Sequence, residues 1–426
     1  MILSKVYSKF QASKGVFTDS RKIIDQGLFF ALKGPHFDGN QYALKTLELG
    51  AIAAVVDDPK VAEKHPDCIL VEDSLSCLQQ LAQMHRRKLQ TTIIGLTGSN
   101  GKTTSKELIY SVLSQKFKTH ATQGNLNNHI GVPLTLLQIE PDCEIAIIEM
   151  GANHKGEIRE LAAIAEPDLG YITNFGYAHI EGFGSLEGVV QGKSELYQDV
   201  QSRSGTIVIN GDDAKQVALM ENYPCLSYGT QPHNDIVLEY LTHTQKPIEL
   251  RYQDTIYSSQ LHGDYNGPNL GIAFALGVHF ELNLSQIAQG ILDYTPNNQR
   301  SEWKTVGENR VFLDAYNANP SSMHAALKSF ASNHPNGIVV LGDMYELGDI
   351  SEASHLEIAQ QAIALGFKKI ILVGSHFGQL KRKEASLHFC SDAAAVRHLW
   401  ETEDWKNEVI LIKGSRGMTL EKIIES

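Results

Sequence analysis

The residues that invite chemistry are Thr97-Gly98-Ser99-Asn100-Gly101-Lys102-Thr103-Thr104, lying between a β-branched strand and a helix. Small residues in such a loop let backbone N–H groups converge on phosphate oxygens, and the helix N-terminus adds partial positive charge. Lys102 can neutralise β- and γ-oxygens, and the Thr103 hydroxyl can reach Mg²⁺. The spacing departs from the common phosphate loop, which has four residues between its glycines; Leu96 stands where the first glycine would be. An ordinary strand–helix turn is the alternative, but Lys-Thr-Thr opening a helix predicts phosphate binding. Phosphoryl-transfer enzymes of this type usually end a later apolar strand in Asp to hold the metal. Here the comparable strand, Glu144 to Glu149, ends in Glu149 and runs into Met150-Gly151-Ala152-Asn153-His154. Beside a phosphate loop that carboxylate reads as a metal ligand rather than as a solvated edge residue.

The elements that must hold these residues follow from hydrophobic periodicity. Thr92 to Leu96 is a strand, and Leu108, Ile109, Val112 and Leu113 share one face of the following helix. Strands are predicted at Gly27–Leu32, Ala51–Val56, Asp67–Val71, Leu169–Thr173 and Thr206–Ile209. Helices are predicted at Tyr42–Leu49, Ser74–Leu89 and Asn269–His279, and His85-Arg86-Arg87-Lys88 reads as a polar boundary. Tyr228 to Leu261 reads as short strands and turns. After Thr295-Pro296-Asn297-Asn298 the pattern restarts with Val311–Leu313, Ile338–Leu341, Ile370–Val373 and Val409–Ile412, fully apolar runs separated by helical segments. That is the mark of a parallel sheet buried on both faces. The runs end in Asp314, Gly342-Asp343, Gly374-Ser375 and Lys413-Gly414-Ser415-Arg416. Ligands in open α/β sheets bind at such strand tips. The expectation is an α/β protein of three domains: 1–90, a central phosphate-loop domain 91–297 built on a parallel sheet, and a Rossmann-like domain 298–426.

Composition narrows the class. A chain of 426 residues, 42% hydrophobic and 20% charged, is too long for one core and ordinary for a globular protein. No apolar run reaches the ~18 residues of a membrane span, and the first residues lack the apolar core of a signal peptide. Five scattered cysteines without a Cys-x-x-Cys pair point to free, buried thiols in a reducing compartment, the cytoplasm. A net charge of −12 argues against nucleic-acid partners and anionic membranes. Anionic substrates would then be held by local loops, helix N-termini and single basic residues.

The order of motifs resembles the Mur ligases, ATP-dependent enzymes that build the peptide stem of bacterial cell wall. The resemblance runs through nearly the whole chain. It begins with Asp19-Ser20-Arg21, Gly27 to Gly34 and Phe37-Asp38-Gly39, followed by the phosphate loop. Asn125-Leu126-Asn127-Asn128 with Gly131 to Thr135, Glu149-Met150-Gly151, Asn174-Phe175-Gly176, Ala178-His179 and Lys193-Ser194-Glu195 come next. Asp314-Ala315-Tyr316-Asn317-Ala318-Asn319-Pro320, Leu341 to Gly348 and Lys413 to Arg416 complete it. It implies a UDP-substrate domain, a central ATPase and a C-terminal ligase domain that closes over the site.

The resemblance also implies roles. ATP would meet Gly98 to Thr104, Asn266 and Asn269 of an Asn-x-x-Asn element, Arg300, Asp314, Tyr316 and Asn317. Mg²⁺, as one or two ions, would meet Thr103, Glu149, His179 and, if carbamylated by CO₂, Lys193. Lys102, Lys193, His179 and Arg300 would be catalytic. Ser20 and Arg21 are candidates for the uridine, Asn127 and Asn128 for diphosphate or sugar, and Asn319, Lys413 and Arg416 for the amine substrate. Two departures are visible: Ser194 follows Lys193 where glycine is frequent, and Tyr265 precedes Asn266 where histidine is usual. As residue types alone, Lys193 reads as a surface helix lysine and His179 as a loop hydrogen-bonder. Arg300 reads as a boundary arginine, Asn317 and Asn319 as turn formers, and Lys413 and Arg416 as solvated charges.

The activity implied is amide-bond synthesis through an acyl phosphate, by a monomer acting on UDP-N-acetylmuramoyl-tripeptide and D-Ala-D-Ala with release of ADP. The run Tyr316 to Pro320 favours that pair over the alternatives, a sister ligase adding a single amino acid or a phosphate-loop kinase.

Overall fold

The computed structural model describes residues 2–242, 246–296, 299–380 and 387–425. The predicted restart at Asn297-Asn298 falls outside them, as do three residues of the stretch from Tyr228 to Leu261.

The N-terminal part is a helix, Ile2–Ala12, and a four-stranded parallel sheet in the order Val16–Phe17, Leu28–Phe30, Ala53–Val56, Cys68–Leu70. Period-two alternation splits its side chains between two cores. Phe29, Ala54 and Val56 face one small cluster, whereas Leu28, Phe30 and Val55 join a core continuous with Ile93, Ala146 and Ile148 of the central sheet. The helix Ser74–Arg86 is the bridge, burying Leu78, Leu81 and Ala82. Its polar end is no loose linker. Buried Arg86 donates from Nε to the Ala165 carbonyl (3.0 Å) and from Nη2 to Asp168 Oδ2 (2.7 Å).

Seven parallel strands make the central sheet, ordered Ile236–Val237, Cys225–Gly229, Thr206–Asn210, Leu169–Ile172, Thr92–Thr97, Ile145–Glu149, Thr119–Ala121. Thr92–Thr97 lies inside it, and its tip feeds the phosphate loop and the helix Lys102–Leu113. Ile94 and Leu96 pack against Leu108, Ile109, Val112 and Leu113 of that helix, so the predicted face is the buried one. A three-stranded antiparallel sheet, Glu239–Leu241, Glu249–Tyr252 and Thr255–Ser258, is the order hidden in the uninformative stretch. Two helices follow it, Gly267–His279 as expected and Leu284–Asp293, whose Asn283 capping box was not foreseen.

The C-terminal sheet has six strands, ordered Glu302–Val306, Asn309–Asp314, Val409–Lys413, Ile338–Gly342, Lys369–Val373, Leu387–Cys390. All pairs are parallel except the first. Pro320–Asn333 and Ser351–Ala364 cover one face and Ala393–Thr402 the other, giving two cores as the apolar runs require. The three-domain α/β architecture stands. All five thiols are free, three buried and two half-buried. Among the described residues no helix is long and apolar enough to cross a membrane.

Candidate active site

A cleft of about 780 Å³ opens at the carboxyl ends of the central strands and is walled on its far side by the tips of the C-terminal sheet. Lining it are Ser99 to Thr104, Glu149, Asn266, Asn269, Arg300, Asp314 and Tyr316, so one space collects the groups expected to meet a nucleotide.

The loop is shaped by two glycines. Gly98 has φ +147°, and a Cβ there would fall 1.8 Å from Thr173 Oγ1; Gly101 has φ +79°, and its Cβ would fall 2.5 Å from Asn269 Oδ1. Only glycine fits either position. The loop is then tied down from outside. Thr173 Oγ1 and Asn174 Nδ2 donate to the Asn100 carbonyl (2.6 and 3.0 Å), Asn174 Oδ1 accepts from the Asn100 N–H (3.1 Å), and Ser99 Oγ donates to the Gly176 carbonyl (2.9 Å). Ser105 Oγ donates to Asn269 Oδ1 (2.9 Å), and Asn269 Nδ2 donates to Asn266 Oδ1 (2.8 Å). The Asn-x-x-Asn element thus buttresses the loop as well as facing the cleft. Tyr265, standing in the usual histidine position, shares a 3.0 Å hydrogen bond between its hydroxyl and Ser301 Oγ.

Lys102 donates to the Gly98 carbonyl at 2.8 Å. Burial holds its ammonium below the ordinary lysine pKa; the Glu149 carboxylate pulls the other way and the Arg300 charge adds to the depression. Glu149 is 2% exposed, which removes the solvated-edge reading. Its carboxylate accepts from Thr103 Oγ1 (3.0 Å) and from Asn127 Nδ2 (2.8 Å).

Lys193 differs most from its residue-type reading. On the helix Leu186–Ser202 its side chain is 0% exposed, and Nζ has no hydrogen-bond partner. Phe183 lies 5.4 Å away, ring centroid to Nζ. Burial, with the nearby Lys102 charge second, pushes the amine well below its ordinary pKa. It lies behind the cleft wall rather than on it.

The C-terminal domain supplies the other wall. The Arg300 guanidinium lies over the Tyr316 ring at 3.5 Å from its centroid, and Arg300 Nε is buried without a partner. Asn319 caps the helix Pro320–Asn333 through Oδ1 and crosses to the phosphate loop, donating from Nδ2 to Asn100 Oδ1 (2.7 Å). Turn former and site residue are therefore one reading, not two. Asn317 Oδ1 accepts the next backbone N–H (2.8 Å), a turn contact, while the residue lines the cleft. His179 lines it too, its ring paired with Glu346 of the C-terminal domain. The His179 ring holds the Glu346 carboxyl below its ordinary range.

Other expectations need correction. Lys413 is not a solvated charge. It is 3% exposed and donates to Asp314 Oδ2 (2.6 Å), so each of these two cleft residues is committed to the other. Arg416 is exposed, bonded to Gln299 and Glu421, and does not line the cleft. Asp343 is buried and accepts the N–H groups of His376 and Phe377, while Gly374-Ser375 starts that same short helix. These two strand tips serve packing. Asn128 lines the cleft, and its Oδ1 accepts the Ile130 and Gly131 N–H groups (3.1 and 2.9 Å) where the chain turns into the helix Gly131–Leu136. Ser20 and Arg21 lie away from the cleft, with Arg21 forked onto Asp19 (2.9 and 3.0 Å). Residue types gave no warning of Thr173, Asn174, Ser105 or Glu346. Asn174 and Glu346 sit in motifs singled out for order alone.

The phosphate loop with its buried carboxylate, faced by a guanidinium from the C-terminal wall, makes a cleft of the kind that nucleoside-triphosphate-using enzymes possess. Residues 13–86 match the Mur ligase family catalytic domain, 96–277 the Mur ligase middle domain and 299–416 the Mur ligase glutamate ligase domain. The chain belongs to the Mur ligase family, whose members are ATP-dependent ligases. It is 36% identical to the UDP-N-acetylmuramoyl-tripeptide–D-alanyl-D-alanine ligase of Bacillus subtilis (strain 168), across 96% of this chain and 92% of that one. It is 32% identical to the protein of the same name from Escherichia coli (strain K12), across 96% and 93%. Among solved structures, MurF from Acinetobacter baumannii superposes with TM-score 0.88 at 28% identity over 99% of this chain and 97% of that one. MurF ligase from Thermotoga maritima in complex with ADP gives 0.84 at 26% over 97% and 96%.

Proposed function

We propose that the chain joins D-alanyl-D-alanine to UDP-N-acetylmuramoyl-tripeptide, converting ATP to ADP and phosphate, in peptidoglycan precursor synthesis. The carrying observation is the one cleft lined by both Lys102 of the central domain and Arg300 at the hinge, on a chain alike over 96% of its length to a ligase of that name. A carboxylate and a triphosphate repel, so the first demand is positive charge placed between them. Lys102 and Arg300 supply it. The tripeptide carboxylate attacks the γ-phosphorus, the bond to ADP breaks, and an acyl phosphate results. The dipeptide amine then attacks the acyl carbon and loses a proton. The tetrahedral intermediate collapses by expelling inorganic phosphate. Closure of the C-terminal domain through Asn319 and Asn100 excludes water that would hydrolyse the acyl phosphate.

The donor set suits Mg²⁺. Among the described residues no three His, Cys, Asp or Glu side chains cluster to hold a metal by themselves. Mg²⁺ takes one or two carboxylates and completes its shell with water and phosphate. Thr103 and Glu149 would hold it, and bound Mg²⁺ neutralises phosphate oxygens. The Lys193 amine fits carbamylation, because only an uncharged amine adds CO₂ and burial favours that form. The carbamate and His179 would serve a second ion. Ser20 and Arg21 remain the proposal for the uridine end, and 1–90, 91–297 and 298–426 for the domain limits.

The experiment is ADP release and amide formation with tripeptides ending in meso-diaminopimelate or lysine, with and without D-Ala-D-Ala. ADP formed with a single amino acid but not with the dipeptide would reassign the chain to a sister ligase. A stable phosphorylated product without amide would make it a kinase.

A further inference from the structure

His179 opens the short helix Ile180–Phe183 with a left-handed backbone, φ +54° and ψ +37°. Glu346, on the loop after the C-terminal strand Ile338–Gly342, is also left-handed at φ +61°. Each such conformation costs a non-glycine residue about 1–3 kcal/mol and persists only where surroundings impose it. These two face one another across the domain boundary. The Glu346 carboxylate pairs with His179 Nδ1, and the Glu346 carbonyl accepts the Glu181 N–H at 3.1 Å. The Glu346 side chain is 52% exposed. A pair so open to water contributes little to stability, so stability does not account for the strain. Orientation does.

With Nδ1 engaged by the carboxylate, the imidazole cannot turn about its χ2 axis without breaking the pair, and Nε2 is the nitrogen left for the cleft that His179 lines. Carboxylates that hold a histidine in this way fix both its tautomer and its direction. The Glu346 carboxylate arrives on the C-terminal domain. The same domain touches the phosphate-loop side through Asn319 to Asn100 (2.7 Å) and through Ser321 Oγ, which accepts the Tyr177 N–H (3.0 Å). We infer that Glu346 is a positioning residue for His179, delivered by domain closure, so that the His179 ring is aligned for amide synthesis only when the C-terminal domain is seated. This rests on the ligase reading above.

The test compares wild type with Glu346→Ala, Glu346→Gln, His179→Ala and the double variant Glu346→Ala/His179→Ala. Steady-state ADP and amide formation, melting temperature, and histidine-labelled ¹⁵N spectra of nucleotide-free and metal-free protein are recorded. The His179 ring is recognised by its disappearance in His179→Ala. Glu346→Ala is expected to lower kcat about 10–100-fold, to leave KM for ATP and the melting temperature near wild type, and to shift the His179 ring nitrogens. Glu346→Gln keeps an acceptor oxygen and should recover most of kcat. In the His179→Ala background, removing Glu346 should cost almost nothing further. An unchanged kcat in Glu346→Ala, a loss that follows a fall in melting temperature, or an equal loss with His179 already absent would each overturn the inference. Wild type forming no amide would instead sink the ligase reading, and the ring spectra would still decide whether Glu346 orients His179.

Discussion

Replacing Lys193 by Met should make the protein more stable and abolish its chemistry. The methionine keeps the unbranched stem that fills the space beside Phe183 while removing an amine that is 0% exposed and unpartnered. In the unfolded chain that amine has its ordinary pKa of about 10.4. Folding must strip the proton, since burial, with the Lys102 charge second, depresses the native value. At a pH between the depressed native value and the ordinary one, stripping costs about 1.4 kcal/mol for each pH unit below the ordinary value. Stranding the neutral amine without a partner adds about 1 kcal/mol. A domain of this size gains roughly 2–4 °C per kcal/mol, so relief of the stranded amine alone should raise melting by about 2–4 °C, and relief of the depressed pKa should raise it further at pH 8. The sign fixes the pH trend. Between its depressed native value and the ordinary one, the unfolded state holds a proton the native state lacks, so wild type gains stability as pH rises. The advantage of Lys193→Met should therefore shrink as pH rises from 8 to 10. Thermal melts in CO₂-free buffer at pH 8, 9 and 10 read this directly. Amide formation should fall about 10²–10³-fold, because no carbamate can form on a thioether. A Met variant that melts lower than wild type, or an advantage that widens with pH, would refute the reasoning.

Lys102→Ala should cut amide synthesis and ADP release together by about 10²–10³-fold; equal rates in the two proteins would remove the phosphate-loop account. Arg300→Lys keeps the charge but loses the stack on Tyr316 (3.5 Å) and the planar fork. Its kcat should drop about ten-fold with melting unchanged, and full activity would mean that charge alone suffices. Asp314→Ala leaves the Lys413 ammonium, 3% exposed, with no counter-charge and only the Asn317 carbonyl (3.3 Å), and should destabilise the C-terminal domain by about 3 kcal/mol. Adding Lys413→Met should restore much of that in urea melts, and no recovery would mean that the loss has another source.

The parallel sheets were legible because strands buried on both faces are continuous apolar runs, as at Ile338–Gly342 and Val409–Lys413. What escaped was structure without such a run. Thr119–Ala121 and Leu387–Cys390 are edge strands with half-exposed side chains, and Glu302–Val306 pairs antiparallel at the other edge of the C-terminal sheet. In the antiparallel sheet Glu239–Leu241 to Thr255–Ser258, one wet face breaks the hydrophobic signal. The helix Leu284–Asp293 carried two signals, the helical spacing of Leu284, Ile287, Ala288 and Ile291 and the Asn283–Gln286 capping box.

The site divides along a similar physical line. Residues whose chemistry is local were readable: a loop opening a helix at Lys102, a carboxylate ending a strand at Glu149. Residues defined by burial or by a partner far along the chain were not. Nothing in Gly192-Lys193-Ser194 distinguishes a solvent-facing amine from one sealed behind Phe183; the distinction exists only after the helix Leu186–Ser202 packs on the central sheet. Asn319 was open to two readings because a helix cap and an interdomain contact demand the same side chain. Its Oδ1 serves the helix while Nδ2 serves Asn100, 219 residues earlier. The same economy explains why the cleft spans two domains. A phosphate loop alone can bind a triphosphate, whereas retaining an acyl phosphate for an amine requires a wall from a second domain. Asn319 and Glu346 are residues through which that wall touches the loop side, at Asn100 and His179, and neither contact could form within a single domain.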